Sequence, residues 1–149
     1  MNKFEVVRDE YRAFPHIEIK LPTRATKFSA GYDICTPSRI VIPSGESAKI
    51  ATDIKARVKE DEVLLLFVRS SVGIKKNVVL MNGTGVIDAD YYSNPDNDGN
   101  IMLALYNYGE ETAIFNAGDR ICQGIFVKYD IVEDDNVAAE RVGGIGSTN

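Results

Sequence analysis

The chain has 149 residues, of which 44% are hydrophobic and 26% are charged, and these values are typical of one globular domain. The longest apolar run, Val63–Val68, is far shorter than the roughly 20 residues that span a bilayer, and Met1–Glu5 does not open a signal peptide. A net charge of −5 argues against a protein that coats nucleic acid, because such binding needs an accumulated positive field. We therefore expect a cytoplasmic protein with no membrane or nucleic-acid partner.

Short strands separated by turns are predicted from Arg39 onward, because apolar runs and alternations there are bounded by Gly, Pro, Asn and Asp. The predicted strands are Arg39–Ile42, Ala48–Val58, Val63–Val68, Val78–Met81, Asn100–Tyr108, Thr112–Phe115 and Ile121–Val132. One short helical turn is expected near residues 72–77. This spacing predicts an all-β sandwich or jelly roll, and no repeat or linker indicates a second domain.

The stretch Gly85–Tyr91 places two carboxylates and an aromatic ring directly after an apolar run and an Asn-Gly turn. If it continues as a strand, alternation puts Asp88 and Asp90 on one face with Tyr91 beside them. An aspartate held within hydrogen-bond reach of a water molecule can accept its proton at neutral pH. In the alternative interpretation, the acids are a solvated strand end and the tyrosine is a half-buried packing residue.

Polar groups also follow the apolar strand Val63–Val68. The segment Arg69–Ser71 would present a guanidinium and two hydroxyls at a strand end, which suits phosphate oxygens. A second polar turn, Gly118–Gln123, and a Gly-aromatic-Asp corner in Ala30–Ile34 add further candidate positions. None of these segments is informative alone.

The C-terminal residues differ in character from the rest of the chain. Residues 1–136 are predicted to form a single β domain, and residues 137–149 a flexible arm, because the arm contains three glycines and little that could be buried. Glycine N–H groups, the hydroxyls of Ser147 and Thr148 and the guanidinium of Arg141 would suit a phosphate. The alternative is a frayed terminus without a ligand.

Five segments, in this order, resemble the trimeric deoxyuridine triphosphatase (dUTPase) family. They are Ala30–Asp33, Arg69–Ser71, Asn82–Tyr91, Gly118–Gln123 and Gly143–Thr148. The resemblance implies a jelly-roll-like distorted barrel, the β-clip of this family, assembled as a homotrimer with active sites shared between subunits. It also implies a dUTP diphosphatase that converts dUTP to dUMP and pyrophosphate, with Mg²⁺ carried on the triphosphate and no direct protein ligand.

The family pattern implies roles for residues on the nucleoside side of the site. Asp88 matches the acid that deprotonates the water attacking the α-phosphorus. Tyr91 matches a ring that packs on the deoxyribose and leaves no room for a 2′-hydroxyl. The positions that match the uracil-reading segment are Asn82, Gly85, Val86 and Ile87.

On the phosphate side, the resemblance implies two groups of contacts. The positions expected to contact phosphates from the β domain are Arg69, Ser70, Ser71 and Gln123. The positions expected to close over the nucleotide from the arm are Arg141, Ile145, Gly146, Ser147 and Thr148. Asp33 matches a supporting acid near the water shell of the metal.

Three features depart from the commonest family pattern, of which one is that Val68 and Ser71 replace the proline and glycine that often flank the Arg-Ser pair. Ile145 stands where the family often has a phenylalanine that covers the uracil, which predicts weaker capping of the base. The polar loop Tyr92–Gly99 replaces a compact turn. Its acids lack the downstream glutamate of a calcium-binding loop.

Two other functions remain open on the same resemblance. One is a dCTP deaminase, which shares the architecture but needs a glutamate at the cytosine amino carbon. The other is an interaction protein in which dUTP closes the arm and changes the affinity for a regulatory protein partner.

Overall fold

Twelve strands and three short helical turns form the protein in the computed structural model, which describes residues 1–148. The strands are β1 (Lys3–Val6), β2 (Thr23–Arg24), β3 (Tyr32–Cys35), β4 (Ile40–Ile42), β5 (Ser47–Ala51), β6 (Ile54–Arg57), β7 (Glu62–Val68), β8 (Val78–Leu80), β9 (Gly85–Ile87), β10 (Met102–Asn107), β11 (Ala113–Phe115) and β12 (Arg120–Lys128). The helical turns are Asp9–Tyr11, Ser71–Lys75 and Ala89–Tyr91. No helix within residues 1–148 is long and apolar enough to cross a membrane.

The strands pair in antiparallel fashion into two larger sheets and two strand pairs. The five-stranded sheet has the order β2-β3-β12-β7-β9, and the three-stranded sheet has the order β5-β10-β8. β1 pairs with β6, and β4 pairs with β11. Neighbours that are distant in sequence, such as β3 and β12, require the long connections of a jelly roll rather than simple hairpins. The predicted all-β, jelly-roll-like fold is confirmed.

One hydrophobic cluster joins these sheets. Leu66 from the five-stranded sheet, Leu105 from the three-stranded sheet and Phe115 from β11 are almost fully buried in it. Although β7 is apolar nearly throughout, its burial alternates, so that Leu65 and Phe67 are only half-buried. The core therefore uses one face of β7 and leaves apolar side chains on the other.

The predicted strand Ala48–Val58 is divided into β5 and β6. The chain turns at Asp53, which has a positive φ of 56°. The carboxylate of Asp53 is fully buried and accepts hydrogen bonds of 2.8 Å from the backbone N–H groups of Ala13 and Phe14. The turn is thus fixed by a segment about forty positions away in sequence, which local alternation does not reveal.

Other elements differ from prediction in extent. The helical turn expected at residues 72–77 lies at Ser71–Lys75. The sequence did not predict the two other helical turns. It also did not predict the strands β1, β2 and β3, which precede Arg39. These N-terminal strands have two to four residues each, too few for a clear alternation.

Both cysteines are free thiols, as the sequence predicts. Cys122 is fully buried in β12, and Cys35 is half-buried at the end of β3. Burial raises the pKa of Cys35 and raises the pKa of Cys122 to about 12. Neither thiol is therefore a reactive thiolate at neutral pH.

Candidate active site

The edge strand β9 carries the predicted uracil-reading segment. Within the described chain it pairs only with β7, so its outer backbone groups have no strand partner there. Gly85 lies so close to β7 that an added Cβ would approach the Cβ of Leu66 to 2.9 Å. The glycine therefore allows this pairing, while the next side chain, Val86, remains 55% exposed.

Asp88 and Asp90 do not continue the strand. β9 ends at Ile87, and the chain enters the helical turn Ala89–Tyr91. The prediction that a continued strand puts both acids on one face by alternation is therefore wrong, because the strand does not reach either acid. The two carboxylates nevertheless converge, because a single guanidinium contacts both of them.

That guanidinium belongs to Arg141 of the arm. Its Nη2 lies 3.1 Å from Oδ2 of Asp88, and its Nε lies 2.8 Å from Oδ1 of Asp90. The Arg141 side chain is only 8% exposed, whereas both acids remain more than half exposed. The guanidinium carbon also lies 5.7 Å from the centre of the Tyr91 ring, close enough for a cation–π contact.

Tyr91 is held by hydrogen bonds at its hydroxyl. The hydroxyl donates to the backbone carbonyl of Asn100 and accepts from Nδ2 of Asn97, both at 2.8 Å. Burial raises the pKa of Tyr91, although the Asn97 contact and the Arg141 charge oppose the rise. The tyrosine therefore stays neutral and presents a fixed ring to the neighbouring cavity.

A cavity of about 250 Å³ collects most of the nucleoside-side residues. It is lined by Leu66, Asn82, Gly85, Val86, Ile87, Asp88, Tyr91, Met102, Arg141, Ile145, Gly146 and Thr148. A neighbouring cavity of about 680 Å³ includes Asp88, Asp90 and Arg141 together with Ser147 and Thr148. The β domain and the arm thus meet at Asp88.

The arm is seated on the β domain at two glycines. Gly143 and Gly144 are buried, and the backbone N–H of Gly144 donates to Oδ2 of Asp96 at 2.8 Å. Ile145, the residue in place of the family's phenylalanine, lines the cavity but is 77% exposed. Flexibility of the arm remains a prediction, and its last residue, Asn149, lies outside the described residues.

A third, separate cavity collects the phosphate-side residues of the β domain. It measures about 130 Å³ and is lined by Ala25, Ser29, Gly31, Asp33, Arg69, Ser70 and Gln123. The register of β3 and β12 places Asp33 directly opposite Gln123. Arg69 follows β7 and donates its backbone N–H to Ile121 of β12, so three adjacent strands position this group.

Asp33 forms ion pairs with two arginines in this second group. Its Oδ1 lies 3.0 Å from Nε of Arg69, and its Oδ2 lies 3.2 Å from Nη1 of Arg120. Asp33 is 8% exposed, so the ion pairs hold the Arg69 side chain in a defined direction. Ser71, the remaining predicted contact from the β domain, is exposed, lies at the start of its helical turn and lines none of the three cavities.

The sequence did not identify several residues around the site. Asp96 and Asn97 of the loop Tyr92–Gly99 contact the arm and Tyr91, and Glu60 and Glu62 line the larger cavity beside Asp88. The only signal for the loop residues was the departure from the compact turn of the family. The two glutamates flank the start of a strand, where acids are unremarkable.

Comparison with known proteins agrees with the geometry. A family model described as dUTPase matches residues 17–149. The deoxyuridine 5′-triphosphate nucleotidohydrolase of Lactococcus lactis subsp. lactis is 40% identical over 147 residues, which cover 97% of this chain and 95% of that protein. The enzyme of the same name from Hahella chejuensis is 33% identical over 139 residues, covering 88% of each chain.

Solved structures give the same result. The crystal structure of dUTPase from Streptococcus mutans matches with a TM-score of 0.75 and 38% identity, covering 87% of this chain and 98% of that one. A mutant dUTPase from phage phi11 of S. aureus, described with a structural Mg(II) ion, matches with a TM-score of 0.71 and 25% identity over 93% of this chain and 97% of that one. On the extent of the family match and the identity to these relatives, the chain belongs to the dUTPase family.

Proposed function

We propose that this protein hydrolyses dUTP to dUMP and pyrophosphate. The observation that carries the proposal is the position of Asp88, which directly follows the edge strand β9 and lines the same cavity as Asn82 and Tyr91. One carboxylate, an amide side chain and a fixed ring are thereby brought together within a small cavity. The names of the relatives support dUTP as the substrate.

Asp88 acts as the general base in this proposal. Its carboxylate is 61% exposed and can hold a water molecule in line with the α-phosphorus. Its partner in the structure is the guanidinium of Arg141. When the triphosphate binds, the guanidinium gains phosphate oxygens as alternative acceptors, and Asp88 becomes free to accept the proton of the water.

The edge of β9 supports uracil recognition. Its outer backbone N–H and C=O groups have no strand partner in the described chain, so they can pair with the edge of a planar base as another strand would. Asn82 lies in the same cavity and adds an amide donor and acceptor. The buried ring of Tyr91 forms a wall against the sugar, which supports rejection of a 2′-hydroxyl by steric exclusion.

Mg²⁺ enters the reaction as part of the Mg–dUTP substrate. Residues 1–148 contain no group of three or more His, Cys, Asp or Glu side chains placed to hold a metal ion, which suits an ion that is bound mainly by phosphates. Bound there, the metal neutralises charge that develops on the phosphate oxygens. Both oxygens of Asp33 contact arginines, so we assign Asp33 to the positioning of Arg69, and its place near the water shell of the metal stays a prediction.

We further propose a homotrimer in which each active site combines residues of different subunits. The nucleoside-side residues and the phosphate-side residues of the β domain line cavities that share no residue within one chain. Half-buried apolar side chains on β7, such as Leu65 and Phe67, supply surface for a subunit contact. Arg69, Ser70 and Gln123 of one subunit would then meet the triphosphate held at Asp88 of another.

The test is pyrophosphate release measured in parallel with dUTP, UTP, dTTP and dCTP. We expect a strong preference for dUTP, and we expect Asp88→Asn to lower kcat by about 10²–10⁴-fold while nucleotide binding is retained. Asp134→Asn, which removes an exposed acid that lines none of the three cavities, is the matched control. Comparable turnover of UTP would falsify the proposal, and release of ammonia from dCTP would point to a deaminase instead.

A further inference from the structure

The loop Tyr92–Gly99 and the arm meet at a single, closely packed point. Between residues 129 and 148, Gly143 and Gly144 are the only buried residues. The backbone N–H of Gly144 donates to Oδ2 of Asp96 at 2.8 Å. A hydrogen bond from a backbone N–H to an ionised carboxylate is among the stronger kinds, so this contact is a defined attachment point for the arm.

Gly143 packs directly against the same carboxylate. A Cβ added at Gly143 would overlap Oδ2 of Asp96, and one added at Gly144 would meet Nδ2 of Asn97 at 3.4 Å. A side chain at the first of these positions would therefore have to displace the Asp96 carboxylate. Two independent features of the arm therefore fit Asp96. The backbone N–H of Gly144 donates to its carboxylate, and Gly143 has no side chain that would overlap it.

Hydrogen bonds of two loop asparagines fix the conformation of the loop that carries Asp96. Asn94 is 4% exposed, and its Oδ1 accepts the backbone N–H groups of Asp96 and Asn97 at 3.1 and 3.3 Å. Nδ2 of Asn94 donates to the carbonyl of Tyr91, and Nδ2 of Asn97 donates to the Tyr91 hydroxyl, both at 2.8 Å. The attachment point is thus fixed relative to the ring that lines the cavity.

We propose that Asp96 is a positioning residue that seats the arm over the active site. Gly144 is three residues from Arg141 and contacts it, because Nη1 of Arg141 lies 3.5 Å from the carbonyl oxygen of Gly144. Fixing Gly144 therefore fixes the guanidinium beside Asp88. This inference rests on the proposed function, in which Arg141 reaches the triphosphate from this position.

The first test follows the arm itself, without nucleotide. Hydrogen exchange of the Gly144 amide is measured in the wild-type protein, in Asp96→Ala and in the control Asp134→Ala, which removes the same charge at an exposed site. We expect exchange at Gly144 to accelerate about tenfold or more in Asp96→Ala, the loss expected for a hydrogen bond to a charged group. The control should behave as the wild type, and unchanged protection in Asp96→Ala would overturn the proposal.

The second test uses turnover and a double-mutant cycle. Asp96→Ala is expected to raise KM for Mg–dUTP and to lower kcat, and Asp96→Asn, which keeps an acceptor oxygen, should recover part of both. Gly143→Ala should be severely impaired alone but much less so when combined with Asp96→Ala, because the carboxylate that its Cβ meets is then absent. Additive effects in this cycle would contradict a direct role for the pair.

These two tests separate the inference from the proposed function. If the wild-type protein fails to release pyrophosphate from dUTP, the proposed function is wrong, yet the exchange of the Gly144 amide still reports whether Asp96 seats the arm. If dUTP is hydrolysed and Asp96→Ala matches the wild type in both exchange and kinetics, the seating role alone is wrong. Thermal midpoints within a few degrees of the wild type confirm that each variant is folded.

Discussion

At the residue scale, the structure distinguishes between two acids that appear equivalent in sequence. Asp88 lines both the smaller and the larger cavity beside the arm, whereas Asp90 lines only the larger one. Asp90 has the shorter contact with Arg141, 2.8 Å against 3.1 Å for Asp88. In the proposed mechanism, Asp90 is therefore the residue that keeps the guanidinium in place while Asp88 accepts the proton.

Ile145 gives a prediction at the same scale. It lies at the lip of the cavity and is 77% exposed, so it covers little of a bound base. We expect Ile145→Phe to lower KM for dUTP about threefold to tenfold, because ring stacking adds about 0.5–1.5 kcal/mol. Steady-state kinetics with the parallel variant Val142→Phe, placed on the same arm but outside the cavity, provide the control, and equal KM values in wild type and Ile145→Phe would refute the idea.

At the scale of elements, a buried ion pair holds the loop Tyr92–Gly99 to the β domain. Oδ2 of Asp98 accepts the backbone N–H of Arg8 at 2.8 Å and lies 2.9 Å from Nζ of Lys55. Asp98 is fully buried. Burial alone would raise the pKa of Asp98, but the Arg8 N–H and the Lys55 charge outweigh it, and the pKa lies below its ordinary value.

This pair predicts how stability depends on pH. Because the pKa of Asp98 is lower in the folded than in the unfolded protein, its contribution is fully present above the ordinary aspartate pKa of about 4 and is lost as the pH falls below it. We expect the free energy of unfolding to be steady near pH 7 and to fall below about pH 4. Asp98→Asn should cost about 3–5 kcal/mol at pH 7, because Lys55 is left buried without a counter-charge.

Denaturant unfolding of both proteins across pH 3–8 measures this effect. The difference between wild type and Asp98→Asn isolates Asp98 from other acids with a lowered pKa, such as Glu5 and Glu62. That difference should shrink toward acidic pH. A difference that is constant with pH would mean that the carboxylate contributes through packing rather than charge.

At the scale of the whole molecule, the separation of the two cavities predicts complementation between inactive variants. Asp88→Asn and Arg69→Ala proteins should each be poorly active, but trimers mixed from equal amounts should recover about a quarter of the wild-type rate. This fraction follows because, with random assembly, about one site in four combines an intact Asp88 with an intact Arg69 from different chains. Activity of mixtures no greater than that of the separate variants would place both residues of a site on one chain.

How far sequence could predict this molecule depends on the range of the interactions involved. Strands such as β7 can be predicted because the pattern of their apolar residues involves only neighbours in sequence. The order of five short segments identified candidate residues that line the cavity at Asp88 and the cavity at Asp33. The break at Asp53 was missed because residues distant in sequence hold it. The turn after Ile87 is not predicted, because two acids flanking an alanine are compatible with either a strand or a helical turn. The role of Asp96 is not predicted either, because its partner Gly144 lies 48 residues away in sequence.

Because the two native thiols are shielded and protonated, a single cysteine introduced into the arm can be labelled selectively. Thiol-directed reagents attack the thiolate, and the raised pKa values of Cys35 and Cys122 keep both groups protonated at neutral pH. Val142 is 73% exposed, so a cysteine introduced there by Val142→Cys would react with a maleimide dye well before either native thiol. A fluorophore at this position would report the seating and release of the arm in solution with both natural cysteines left in place.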